Sequence, residues 1–292
     1  MISETAFSIR PLQAWSEYLD AEELQRAVWQ MPDWRDVVPA NLLITAHKHG
    51  GIVLGAFDAT QRLIGLAFSF LGTDAHHANR LKHCSHMVAV LPEFQGQGIG
   101  EQLKFVQRQI ALAQKIDLMT WTYDPLLALN ANLNLVRLGA IARHYIVNAY
   151  GKMTDGLNAG LPSDRFQVEW WMNTARVESR ATQPPPRRDW NAMLATGVQP
   201  LFEVLFDAKE LPRIEKIYAA QRDVLLVEIP ANFAAVKNFS ADLALAWRMH
   251  AREAFQNCFA AGYSAIDFVF SKQPSRAAYL LSRAPLDPSA VM

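Results

Sequence analysis

Between Val90 and Leu103 the chain reads VLPEFQGQGIGEQL: an apolar strand end, a proline, three glycines spaced two apart, then a helix-forming run. A helix start carries unpaired N–H groups and the positive end of the helix dipole. Glycines there let a ligand approach the backbone, because no Cβ intervenes. Such a loop suits an anion, most often a phosphate. A nucleotide-type P-loop would end Gly-Lys-Ser/Thr, but Gly100 is followed by Glu101 and Gln102. The dinucleotide fingerprint would need glycine three positions beyond Gly98, where Glu101 stands. A third pattern, Gln/Arg-x-x-Gly-x-Gly/Ala, is matched at every defined position by Gln95-Gly96-Gln97-Gly98-Ile99-Gly100.

With VAVLPEF before it and an amphipathic helix after it, this motif makes the chain resemble the GNAT superfamily of N-acyltransferases over roughly residues 1–172. The tract WTYDPLLALNANLNLVRLGA, with NAYGKM and LPSDRF, is similar to a subgroup of predicted GNAT acyltransferases that carries a C-terminal extension. The resemblance implies a mixed central sheet whose strand before the loop splays from its neighbour. It also implies acetyl-CoA or another acyl-CoA as cosubstrate, with no metal. Amides of Gln95, Gly96, Gln97, Gly98, Ile99 and Gly100 would wrap the pyrophosphate. Backbone groups near Val88 and Val90 would face the pantetheine and polarise the thioester carbonyl.

Acylation of an amine requires a base, stabilisation of a tetrahedral oxyanion, and a leaving thiolate. Alternation along HCSHMVAV puts His86 on one face with Val88 and Val90, which makes His86 a candidate base. A hydrogen-bonded structural histidine is the competing assignment. His83 and the His76-His77 pair read as loop residues. Many superfamily members carry a tyrosine acid four residues before a glycine that here matches Gly139; the position is Leu135. Either the thiolate leaves unaided, or Tyr123, Tyr145 or Tyr150 serves, with Tyr123 best placed. Cys84 warrants inspection as a nucleophile, although no activating partner is evident.

Asn130 and Asn134 share a helical face at i,i+4 and are candidates for the pantetheine amides, against a capping or solvated role. Arg165, Arg248 and Arg252 are candidates to hold a carboxylate of the substrate. Arg248 and Arg252 fall on the edge of their helix's apolar stripe. They can equally pair with Asp242, Glu253 or an acidic group of the first domain.

The elements that position these residues alternate in period. FSIRPL reads as a strand and AWSEYLDAEELQRAVW as a helix. LLITAHKHGGIVLGAFD reads as two strands hinged at Gly50-Gly51, and RLIGLAFSFL as another. The helix after the loop shows Leu103, Val106, Ile110 and Ala113 on one face. DLMTWTYDP is a strand, LLALNANLNLVRLG a helix ended by Gly139, and AIARHYIVNAY and RFQVEWWM are strands. Three consecutive prolines in ATQPPPRRDW mark a linker. The expected organisation is α/β: a GNAT domain over 1–175, a linker over 176–190, and a smaller C-terminal α+β domain over 191–292. In the last part PLFEVLFD and DVLLVEIP read as strands, Ser240 caps a long helix stopped by Gly262, and SAIDFVFS with AAYLLSR forms a hairpin.

Lys plus Arg and Asp plus Glu each number 28 in 292 residues, which argues against general attraction to nucleic acid or an acidic membrane surface. The first residues show no sustained apolar run of a signal peptide. Two cysteines without a CxxC suit a reducing compartment and no zinc site. The expectation is a cytoplasmic enzyme acting on a small-molecule amine, possible acceptors including an amino acid, with acetyl or succinyl among the acyl groups. A homodimer is one assembly the sequence allows. A non-catalytic acyl-CoA sensor of the same fold is the alternative.

Overall fold

The computed structural model describes residues 7–31, 33–75, 78–151, 160–186, 188–272 and 275–284. His76 and His77 lie outside them. The chain divides into two compact units, Met1–Trp121 with Trp171–Asn173, and Thr122–Trp170 with Thr174–Met292. This division falls inside a strand, not at the proline tract. The tract's expected span instead begins as a helix, whose Val177 is buried.

The first unit holds β1 (Phe7–Pro11), α1 (Trp15–Trp29), α2 (Ala40–Lys48), β2 (Ile52–Asp58), β3 (Leu63–Asp74), β4 (Arg80–Val90), α3 (Ile99–Ala113) and the start of β5 (Leu118–Tyr123). The strands run in the order β1-β2-β3-β4-β5, antiparallel except for the parallel pair β4–β5. The segment before Gly50 is helical, not a strand. Only Ala40 and Leu43 of α2 are buried, a three-residue spacing that fits a helix lying on a surface. Gly50, at φ +91°, then turns the chain into β2.

The second unit contains α4 (Ala128–Ala131), which continues into a π-helical stretch Asn132–Arg137, then β6 (Ile141–Ile146) and β7 (Arg165–Trp171). There follow α5 (Ala175–Thr182), α6 (Trp190–Ala195), β8 (Gln199–Pro200), β9 (Phe202–Phe206), β10 (Pro212–Ile217) and β11 (Val224–Ile229). The last elements are α7 (Phe233–Phe239), α8 (Ala241–Ala260), β12 (Ser264–Lys272) and β13 (Ser275–Ser282). Its main sheet has the order β7-β6-β12-β13-β11-β8, and β9 and β10 form a separate hairpin. Ala265 on β12 pairs with Ala142 on β6, so β6, expected in the first domain, shares its sheet with C-terminal strands. That pairing explains why the unit boundary precedes residue 141. The expected hairpin β12–β13 is present, Ser240 accepts from the Leu243 amide, and Gly262 adopts φ +86°.

Candidate functional site

The glycine loop lies where the sequence places it, with Gln95, Gly96, Gln97 and Gly98 all exposed. Gly96 and Gly98 hold φ of +78° and +80°, the left-handed region that L side chains rarely adopt. Gly98 is the N-cap of α3, and the first intrahelical bond runs from Gln102 N–H to its carbonyl. The Gln95 side chain donates to the Val90 carbonyl at 3.0 Å and closes the loop on the end of β4. A Cβ built on Gly96 or Gly98 would meet nothing within 4 Å. The space beside both glycines is open.

Beside this loop β4 loses its neighbour. The β4–β5 pairing is confined to His83↔Met119 and Cys84↔Thr120, and from Ser85 to Val90 the β5-facing edge of β4 is free of ladder pairing among the described residues. This is the splayed sheet that the resemblance implies. Unpaired strand groups are what an extended amide-bearing chain can bond.

The face expected of His86 is corrected by a β-bulge. Register on β3 passes from Phe68↔Met87 to Ser69↔Ser85, so His86 has no partner of its own. Ser85 contacts Lys104 and Gln107 of α3, and Val88 and Val90 are the side chains nearest Gly100 of α3. His86 instead packs against the Phe68 and Phe70 rings, with centroids at 5.9 and 6.3 Å. It therefore projects from the opposite face to Val88 and Val90. It is exposed at its edge, and the apolar surroundings desolvate the imidazole and hold its pKa below the usual value. A neutral ring at pH 7 can accept a proton. His83 is not a loop residue. It is buried in β4, between Ser69 Oγ at 3.1 Å and Gln114 Oε1 at 2.7 Å.

Tyr123 does not present its hydroxyl to a cleft. It is 5% exposed and donates to Tyr279 Oη at 3.2 Å, which donates in turn to the Pro125 carbonyl at 2.7 Å. Burial drives both phenols far above their ordinary pKa. Tyr123→Phe is expected to leave any turnover unchanged and to cost about 1 kcal/mol in urea denaturation; a hundredfold loss of kcat at unchanged stability would restore it as the acid. Tyr145 is held by Asp164 at 2.7 Å, while exposed Tyr150 shares a 2.6 Å bond with Thr122 Oγ1. Leu135, which stands where the resemblance would place a tyrosine, is fully buried. Burial pushes the Cys84 thiol pKa up, the reverse of an activated nucleophile.

The three arginines proposed to read a carboxylate already hold one. Arg248, 1% exposed, grips Asp124 bidentately at 2.8 and 2.5 Å, and Arg165 lies 3.8 Å from the same carboxylate. Arg252 grips Asp164 at 2.8 and 2.9 Å. The partners are neither Asp242 nor Glu253 but residues of the tract expected in the first domain. Burial alone would raise the Asp164 pKa; the Arg252 fork, the Tyr145 hydroxyl and the Asn148 amide together bring it below the carboxylate norm. Asn134 is buried in the π-helical stretch and Asn130 half-buried on α4. The π-helical winding replaces the single α-helix that their spacing assumed.

Sequence reasoning missed two features. Lys104 and Gln107 occupy the buried face of α3, where Lys104 donates to Ser85 Oγ and burial carries its pKa well below that of a free lysine. In the second unit an open groove of about 850 Å³ is lined by residues including Arg143, His144, Tyr145, Asn257, Phe259 and Tyr263. Buried Glu169 lies beneath Arg143 at 2.8 Å and His144 at 3.6 Å. No cluster of three or more potential metal ligands occurs among the described residues.

Among solved structures the chain is similar to an acetyltransferase of the GNAT family from Streptococcus pneumoniae, with 13% identity over 56% of this chain and 98% of that one, TM-score 0.44. It is also similar to the ribosomal-protein-S18-alanine N-acetyltransferase of Escherichia coli, with 12% identity over 58% and 96% of the two chains, TM-score 0.44. For the ribosomal-protein-S5-alanine acetyltransferase of Vibrio fischeri the values are 16%, 57% and 94%, with TM-score 0.44. No family model and no curated protein matches the chain.

Proposed function

We propose that the protein is an acyl-CoA-dependent N-acyltransferase of the GNAT superfamily. The observation that carries this reading is the open glycine loop at the head of α3, set beside the unpaired edge of β4. The Gln95 amide, expected among the phosphate-binding amides, is given to the Pro92 carbonyl at 3.2 Å, so in this reading the amides from Gly96 to Gly100 hold the pyrophosphate of the cosubstrate at the helix N-terminus. Backbone groups near Val88 and Val90 hold the pantetheine and polarise the thioester carbonyl. The acyl-CoA, when bound, supplies an activated acyl group, and a neutral amine attacks it directly without a covalent enzyme intermediate. His86, exposed beside Phe68 and Phe70 on the face of β4 turned away from α3, takes the proton from an amine that approaches on that face. With Tyr123 sealed in the core, the thiolate leaves unaided.

The acceptor is a small-molecule amine, amino acids included. Because Arg248 and Arg252 are committed to Asp124 and Asp164, the case for a carboxylate-bearing acceptor or acyl group no longer has these residues behind it. No helix among the described residues is long and apolar enough to cross a membrane. A cytoplasmic location and a homodimer remain parts of the proposal.

Leu135 at the usual acid position favours a second reading, a sensor that binds acyl-CoA without turnover. Thiol release from acetyl-CoA and succinyl-CoA, measured against a panel of amines and D- and L-amino acids, separates the two. Amine-dependent release is the expected result. Saturable coenzyme A binding with no release across the panel would favour the sensor, and absence of binding would remove both.

A further inference from the structure

Three arginines gather in the second unit where α5, the proline tract and β12 meet. Arg176 and Arg180 stand one turn apart on α5, and both stems lie against Gly139. A Cβ on that glycine would come within 3.4 Å of Arg176 Cγ and 3.2 Å of Arg180 Cγ. Arg176 is buried and donates to the carbonyls of Gly139, Leu135 and Ile266 at 3.0, 2.9 and 2.5 Å. Ile266 sits in the bulge of β12, and the next residue, Asp267, is buried as well. Asp267 accepts from Arg188 Nε at 2.6 Å and from the Phe268 amide at 2.9 Å.

Arg180 has no such partner. It makes no hydrogen bond or ion pair among the described residues, although its Nε is buried. The other arginines there with a buried, unpartnered Nε are Arg26, Arg143 and Arg248, and each pairs with a carboxylate through another nitrogen. Arg180 lies close enough to Asp267 and Arg188 for both to act on its charge. Among the described residues Asp267 is the one carboxylate that acts on Arg176 or Arg180. Three guanidiniums thus face one carboxylate, which leaves two positive charges unmatched.

We propose that Arg180 and Arg188, backed by Arg176, form a binding site for a phosphoryl dianion, either inorganic phosphate or a phosphomonoester. The charge of such a group matches the excess, and guanidinium forks take its oxygens two at a time. Solvent reaches the site, because the Arg188 side chain is 39% exposed and Arg180 is half-buried. Arg176, tied down by three carbonyls, cannot swing away from its two neighbours. Gathering like charges in a partly desolvated place is unfavourable, and a bound dianion relieves it. The site stands apart from the acyl-CoA reading and does not depend on it.

Calorimetric titration of inorganic phosphate into the full chain, at an ionic strength fixed with chloride, tests the site. Saturable binding with a Kd of about 1 mM or tighter is expected. Arg180→Gln is expected to weaken it by about tenfold or more, and Arg180→Lys, which keeps the charge but not the fork, by less. The glycine loop offers amides to the same anion, so Gly98→Asp is the control and should retain this binding. Glycerol 3-phosphate distinguishes the two sources: tighter binding than phosphate assigns the site to a phosphomonoester, weaker binding to the free anion. In phosphate-free chloride Arg180→Gln should melt at the wild-type temperature or above it, since it removes one of three like charges. Phosphate should then raise the melting temperature of the wild type more than that of the variant. Equal phosphate binding by wild type and Arg180→Gln overturns the proposal, as does loss of all binding in Gly98→Asp or no saturable binding by the wild type. Lowered stability of Arg180→Gln with unchanged phosphate binding would leave Arg180 as a counter-charge to Asp267 alone.

Discussion

Gly98→Asp is expected to lower acyl-CoA affinity by about ten-thousandfold while leaving a folded protein. Two physical contributions set the size. The first is electrostatic: a carboxylate placed about 4 Å from a phosphate charge, at the effective dielectric of a protein surface, repels it by about 4 kcal/mol. The second is conformational. Gly98 sits at φ +80° and ψ 3°, and a non-glycine residue there costs about 1–2 kcal/mol, least for Asp and Asn. The fold should tolerate the change, because a Cβ at Gly98 would meet no atom within 4 Å and an aspartate at an N-cap can itself accept a helix amide. Gly98→Ala is the control, carrying the backbone strain without the charge, and is expected to lose only about tenfold. Calorimetry on both variants, with circular dichroism to verify folding, gives the comparison. Unchanged affinity in Gly98→Asp would mean that the loop does not hold the pyrophosphate.

The glycine loop was legible in the sequence because its chemistry is a backbone chemistry, written in where side chains are missing. The splay was legible only through the resemblance, since nothing in HCSHMVAV says where a strand loses its neighbour. What escaped has identifiable causes. Strict alternation assigned His86 to the face of Val88 and Val90, but a bulge adds one residue opposite Phe68 and reverses the phase. The apolar stripe of α3 was read as Leu103, Val106, Ile110 and Ala113. The buried face is Ile99, Leu103, Lys104, Gln107 and Ala111, turned toward two polar residues that a hydrophobicity pattern counts as surface. Ala113 is exposed in consequence. The stripe of α8 was read correctly, with Trp247, Ala251 and Cys258 buried and Arg248 sheltered beside them. For its arginines the expected alternative of an acidic group from the first domain is the one the structure takes, but nothing in the sequence singles out Asp124 or Asp164, because Asp124 stands 124 residues before Arg248. Pairings at that distance leave no local trace, and neither does the sheet contact between β6 and β12 that moves the unit boundary.

The Asp124–Arg248 pair carries the other large expectation. Both residues are buried, and removing one member of such a pair strands the other's charge in a poorly solvated site, at a cost of about 3–5 kcal/mol. Arg248→Ala is therefore expected to lower the melting temperature by about 10 °C. Arg165, at 3.8 Å, gives Asp124 only partial compensation. Arg248→Lys keeps the charge but not the two-pronged grip and should fall between the variant and the wild type. Arg252→Ala is expected to cost less, since its side chain is partly exposed and Asp164 keeps the Tyr145 hydroxyl and the Asn148 amide. Its effect should also depend on pH with a definite sign. The folded Asp164 pKa is lowered, so the stability it contributes is present above the unfolded carboxylate value of about 3.9 and is lost as pH falls through the lower folded value. The difference between wild type and Arg252→Ala should be full at neutral pH and shrink in acid. Urea denaturation from pH 7 down to pH 3 measures both effects. If Arg248→Ala keeps wild-type stability but raises the KM of an acidic acceptor, its guanidinium serves a substrate and not Asp124.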